Sequence, residues 1–350
     1  MRRTAGRREY HPAVDAATAA SLLSMAEAAR AAIRREEPDA AAPIENRYEQ
    51  VVEALDWYLD NGRADSGFRL ATALVPFWIS TKRIDDGDAW FQRALAARVG
   101  SEAQRARATY DQGYLVFWAG RYEEAERAFS AARAEAARLG DGNLAALALA
   151  GSARVALARD PLESVRLLRE ALDLTEARPD AEGRSSALHV LGVALQMSGD
   201  LSGARDVMTE RLEAARETGN EFVVWVESSN LSMVERQLGN LDRAEQLSRA
   251  ALSIVAGRGD AMAIPWVING LAAATAAKGE LERAAVLNGL AEALLQRAGG
   301  EWPPDEREQF DGTLAAIAGG LAPDVAERSR AEGAAMSIED GVAFALGAPA

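Results

Sequence analysis

Residues 106–133, ARATYDQGYLVFWAGRYEEAERAFSAAR, decide how the rest of the chain is read. Gly113, Gly120, Tyr122, Ala125, Phe129 and Ala132 fall where a pair of short antiparallel helices needs a small, a turn or a bulky residue. The second half is an amphipathic helix, with Ala125, Ala128, Phe129 and Ala132 on one face and Glu123 four residues before Arg127. A single hairpin of this kind cannot bury its own apolar stripe. It needs copies of itself on either side.

The copies can be found by following the small residue at the closest crossing of the two helices. Gly87, Ala125, Ser164, Ala204, Ala244 and Ala284 are spaced by 38, 39, 40, 40 and 40 residues. Seven positions later come Ala94, Ala132, Ala171, Arg211, Ala251 and Ala291, in which Arg211 alone breaks an alanine series. Gly100, Gly140, Gly219, Gly259 and Gly299 keep the same period, with Pro179-Asp180 standing where one glycine is missing. Glycine ends a helix through its access to positive φ, and Asp141, Asn220 or Asp260 can cap the helix that follows. Intra-hairpin turns at Gly120, Gly199, Gly239 and Gly279 are a third register.

These registers predict an all-α fold, a right-handed α-solenoid of tetratricopeptide-like hairpins longer than the standard unit of about 34 residues. The expected organisation is a disordered basic tail over 1–20, N-terminal helices over 21–66, six hairpins over 67–298 and a helical C-terminal cap over 299–350. Ser337, with Asp340 three residues on, opens the last helix of that cap. Trp57, Phe77, Trp78, Trp90, Phe91, Phe117 and Phe129 are expected to fill the N-terminal core.

Composition narrows the function. A formal charge of -14 argues against a nucleic-acid surface, which needs a basic stripe. The 37 Arg against two Lys, Lys82 and Lys278, fit coding bias. Zero Cys removes thiolate nucleophiles and Cys-ligated metals and suits a reducing cytoplasm, the expected location. Only His11 and His189 exist, so a multi-His metal site is excluded. Gly140, Gly142 and Ala145 spell GxGxxA, but after a helix and not a strand, which argues against a dinucleotide loop. Asp85-Asp86 and Glu123-Glu124 fall at helix starts, where acids favour the macrodipole. There is no run of about 18 apolar residues to span a membrane.

The blocks YEQVVEALDWYLDNG and LATALVPFWISTKRIDDGDAWFQRAL, the 40-residue hairpins, and the endings AAVLNGLAEALLQRAGGEWPPDEREQF and AMSIEDGVAFAL together resemble the C-terminal helical-repeat region of bacterial LuxR-type transcriptional regulators and their signal-transduction ATPase relatives. The resemblance runs from about Leu22 to Leu346 and is most specific at Pro76-Phe77-Trp78 and Ser337-Ile338-Glu339. It implies a region that receives a protein or small-molecule signal for an attached ATPase and DNA-binding domain. Neither domain is expected here, because no GxxxxGK[ST] loop occurs and too little chain precedes Leu22. The chain is read as a stand-alone receptor module or a fragment of a longer regulator.

The expected site is the concave groove. Setting each first helix in register turns Arg69, Arg107, Tyr110, Tyr114, Trp118, His189, Gln196, Arg236, Trp266 and Asn269 toward it. Aromatic and Arg side chains supply most hot-spot energy in interfaces. His189 is read first as a packed or hydrogen-bonded residue and second as a ligand contact, and Tyr114 and Trp118 also suit the core. The expected function is a non-enzymatic interaction module of a transcriptional regulatory system, holding a peptide or partner domain. The alternative is a small-molecule effector receptor using the same groove. No cofactor, metal, nucleic acid or membrane partner is expected, and a homodimer stays open.

Overall fold

The computed structural model describes residues 14–347 apart from 36, 38 and 303, and all regular structure among them is helical. Three helices come first: α1 (Ala16–Arg34), α2 (Ala42–Glu45) and α3 (Tyr48–Asp60). Six pairs follow: α4 (Ala64–Ser80) and α5 (Ile84–Ala96), α6 (Glu102–Trp118) and α7 (Tyr122–Leu139), α8 (Gly142–Leu157) and α9 (Pro161–Asp173), α10 (Glu182–Met197) and α11 (Leu201–Glu217), α12 (Glu221–Gln237) and α13 (Leu241–Gly257), α14 (Ala263–Ala277) and α15 (Leu281–Arg297). The chain ends in α16 (Pro304–Gly320), α17 (Pro323–Ala335) and α18 (Ile338–Leu346).

Local chemistry sets these boundaries. Asp141, Asn220 and Asp260 each accept a backbone N–H from the first turn of the helix that follows. Gly100, Gly140, Gly219, Gly259 and Gly299 all hold φ between 66° and 76°. Lys82 occupies the same left-handed region at φ 58° where four of the five later hairpins place glycine. Ser337 Oγ accepts the Asp340 N–H at 3.1 Å and opens α18. At the N-terminus the expectation of a tail through residue 20 needs correction. Asp15 accepts the Thr18 N–H at 2.8 Å, so α1 starts at Ala16, and the rest of that tail, 1–13, lies outside the described residues.

The chain divides into two compact units. One runs to Ala158 and adds Leu167–Ala187, and the other comprises Arg159–Arg166 and everything from Leu188. In the first unit α1 packs on α3 and α4, and α4, α6 and α8 lie side by side. Its core holds Phe68, Phe77, Trp78, Trp90 and Phe91, while Trp57 stays half-buried at its edge. Phe129, fully buried on α7, fits against Gly113 and Gly151, where an added Cβ would lie 3.1 and 2.6 Å from its ring. Gly87 makes the same room for Trp78, at 2.5 Å.

The second unit carries the last three crossing alanines. Ala204, Ala244 and Ala284 are all fully buried, as the 40-residue register requires. Beyond the sixth pair, α16 lies on α14 and α15, α17 lies along α15, and α18 returns to α13 and α15. Backbone approaches backbone between α15 and α17: a Cβ on Gly289 would stand 2.1 Å from Arg330 O, and one on Gly333 1.9 Å from Val286 O.

Candidate functional site

The first helices of the pairs carry the expected residues, and the two units equip them differently. In the first unit α6 sets Arg107 and Asp111 one helical turn apart. Arg107 Nε donates to Asp111 Oδ1 at 3.0 Å, and the Thr72 hydroxyl of α4 donates to Asp111 Oδ2 at 2.6 Å. Arg107 also reaches Glu182, in the first turn of α10, at 3.2 Å. The opposite oxygen of Glu182 accepts from Arg34 of α1 at 2.6 Å and lies 3.5 Å from Arg30. One carboxylate thus joins α1, α6 and α10. Burial pushes its pKa up, but Arg107, Arg34 and Arg30 outweigh that and hold it at about 2. Arg107, despite burial, is held charged by Asp111 and Glu182.

An aromatic run adjoins this network. The Arg107 guanidinium lies over Tyr110 at 5.4 Å, Tyr110 stacks on Tyr114 at 6.1 Å, and Trp118 meets Tyr114 edge-on at 6.3 Å. Exposure rises along it. Tyr110 is buried against Phe129, Tyr114 is half-buried, and Trp118 is 53% exposed. Of the two readings for Trp118, core or surface, the structure places it at the surface. Tyr110 is a packing residue, with its pKa raised by burial. Arg69 is exposed and paired with Glu27 of α1 at 2.7 Å.

In the second unit His189 Nδ1 is 2.8 Å from Glu227 Oε1, and Arg211 pairs with the same oxygen. Glu227 is fully buried, and its Oε2 has no hydrogen-bond partner. Gln196 donates to Gln237 Oε1 at 3.3 Å. Burial lowers the Arg236 pKa, and its Nε is buried without a hydrogen-bond partner. The Nε1 of half-buried Trp266 is likewise unpartnered. Asn269 is not a groove residue available to a partner. It is fully buried, and its amide donates to Glu306 O at 3.0 Å and Glu306 Oε2 at 2.7 Å, fastening the start of α16.

The structure therefore brings Arg107, Tyr110, Tyr114 and Trp118 together and sets His189 and Gln196 on a separate stretch of α10. Sequence reading missed Arg30, Arg34, Asp111 and Glu182 in the first unit and Glu227 in the second. Arg211, the one break in the alanine series, was the available signal for Glu227, since a cation at a crossing position needs a buried anion opposite.

No protein-family model matches the chain. A Mycobacterium bovis protein named "putative HTH-type transcriptional regulator" is 28% identical over 222 residues, 59% of this chain and 24% of its own length. The chain thus spans about a quarter of that relative. Among solved structures, the apo quorum sensor NprR of B. thuringiensis superposes with a TM-score of 0.55 at 12% identity, covering 87% of this chain and 84% of its own. A signal-transduction ATPase with a tetratricopeptide repeat sensor, from Pyrococcus horikoshii, gives 0.54 at 13% identity, covering 90% and 54%. These likenesses show the fold: an α-solenoid of tetratricopeptide-like hairpins. No helix among the described residues is long and apolar enough to cross a membrane.

Proposed function

We propose that the chain is a non-enzymatic, protein- or peptide-binding module of a transcriptional regulatory system, and that the first-helix face of the first unit is where the partner is held. The observation that carries this reading is the run from Arg107 through Tyr110 and Tyr114 to Trp118, in which one buried and one half-buried ring back a large exposed ring. A rigid aromatic anchor beside fixed charges is the usual composition of an interface hot spot. The similarity to a mycobacterial protein named as a transcriptional regulator supports the regulatory context. The cytoplasm is the proposed location, and the domain scheme of six hairpins with a terminal cap is the proposed organisation.

Affinity capture from native extract, quantified against the Trp118→Ala variant, tests this. Recovery of the partner should fall severalfold, because Trp118 can be removed without opening the core. Equal recovery would contradict the assigned face. The alternative, a small-molecule effector, is favoured by one observation: Arg236 holds a partly buried guanidinium whose Nε has no partner. A metabolite thermal-shift screen in which a hit is lost in Arg236→Ala would support it.

A further inference from the structure

We propose that Arg30, Arg34 and Arg107 form a receptor for a carboxylate of the bound partner, so that the first unit selects an acidic group; this rests on its first-helix face being the recognition surface. The cluster already shows the chemistry, because it holds the chain's own Glu182 by both oxygens, one toward Arg34 and Arg30 and the other toward Arg107. Planar guanidinium groups suit planar carboxylates.

The cluster is under-neutralised. Three guanidinium groups face two carboxylates, Glu182 and Asp111, which leaves one positive charge over. Arg154 of α8, hydrogen-bonded to Ser186 at 3.2 Å, adds another cation on the Tyr110 side. The surplus is expressed at Arg30. Its nearest carboxylate oxygen is 3.5 Å away, its Nε is buried with no hydrogen-bond partner, and burial together with the neighbouring Arg107 lowers its pKa. A partly buried cation without a proper hydrogen bond is costly, and an added carboxylate is the group that relieves it.

The site is also reachable. The Arg34 side chain is 51% exposed and that of Glu182 30%, so an incoming group meets the cluster from solvent. Arg34 and Glu182 are 148 residues apart, so a second carboxylate here would tighten the junction of α1 with the start of α10 as it binds. A ligand at this point thus acts on the packing of the unit as well as on its surface.

The test uses the full chain at constant ionic strength with three probes: N-acetyl-alanine, its neutral amide and inorganic phosphate. Binding is read by thermal shift and by the arginine Nε–H resonances. The acid should bind saturably, and the amide should not. Arg30→Gln should weaken the acid about tenfold, Arg30→Lys, which keeps the charge but not the planar fork, should weaken it less, and Glu182→Gln should tighten it about tenfold, the scale of one charge-assisted hydrogen bond. Acid and amide that behave alike, or an acid affinity unmoved in all three variants with helical content preserved, would overturn the proposal. Phosphate binding more tightly than the acid would overturn the assignment to carboxylate. None of the probes needs the native partner, so a negative result beside Trp118-dependent capture removes this inference and leaves the recognition face standing.

Discussion

The tightest glycine approach in each unit differs in what it meets, a ring in the first and a backbone in the second, although Gly183 of the first unit also faces the Asn143 carbonyl at 2.6 Å. In the first, glycines at Gly87, Gly113 and Gly151 receive aromatic rings from Trp78 and Phe129. In the second, Gly289 and Gly333 receive the backbone of a neighbouring helix. A ring can tilt or be trimmed, whereas a carbonyl inside a helix cannot retreat without breaking its own hydrogen bond. Their charged clusters differ as well. The first unit gathers Arg30, Arg34 and Arg107 around Glu182 and leaves Arg30 Nε without a partner, while the second, in which His189 and Arg211 share Glu227 Oε1, leaves the carboxylate's own Oε2 and Arg236 Nε without one.

The contrast can be broken most severely at the last crossing. Gly333→Ala would put a methyl carbon 1.9 Å from Val286 O, so a loss of about 3 kcal/mol or more in denaturant unfolding is expected. A midpoint near that of the wild type would mean that α15 and α17 do not lie this close. Gly151→Ala has the Phe129 ring as its nearest neighbour and should cost about 1–3 kcal/mol. Here the difference between ring and backbone becomes measurable, because adding Phe129→Leu should make the double variant at least about 1 kcal/mol less destabilised than the sum of the singles. Strict additivity would show that the ring is not what fills the gap. At the fully buried crossing residue Ala204, replacement by Leu should likewise cost about 1–3 kcal/mol, and an unchanged melting point would place the repeat register elsewhere.

The charge network makes a pH prediction. The Glu182 carboxyl sits at about 2 in the folded chain against an ordinary 4.5, with Arg107, Arg34 and Arg30 facing it. Below about 4.5 the unfolded chain takes up the proton first, so this contribution is full above that pH and disappears as pH falls toward 2. The stability difference between wild type and Glu182→Gln should therefore shrink over that window, as followed by urea unfolding at stepped pH. A difference independent of pH would remove the ion cluster from the account. The smallest effect is expected at exposed Lys82, where Lys82→Gly relieves a positive φ of 58° and should raise stability by up to about 1 kcal/mol, read from the thermal midpoint.

The helical repeats were legible because period and turn chemistry are local signals. The caps at Asp141, Asn220 and Ser337 fall where the sequence placed them. Much of the site was not, for a physical reason. Glu182 looks like any acid at a helix start, and only folding brings Arg34 to it across 148 residues. Tyr110 and Asn269 share the helical register of surface residues, but the neighbouring Phe129 and the start of α16 cover them. A register says which way a residue points, whereas its neighbours decide whether anything else can reach it.

The claim that recognition belongs to the first-helix face of the first unit and the α1 arginines beside it is tested most directly by placing a photo-crosslinking amino acid in living cells at Trp118, at Arg34, and at exposed Arg127 of the second helix α7. A partner adduct is expected from positions 118 and 34 and none from 127. An adduct from 127 with none from the other two would contradict it.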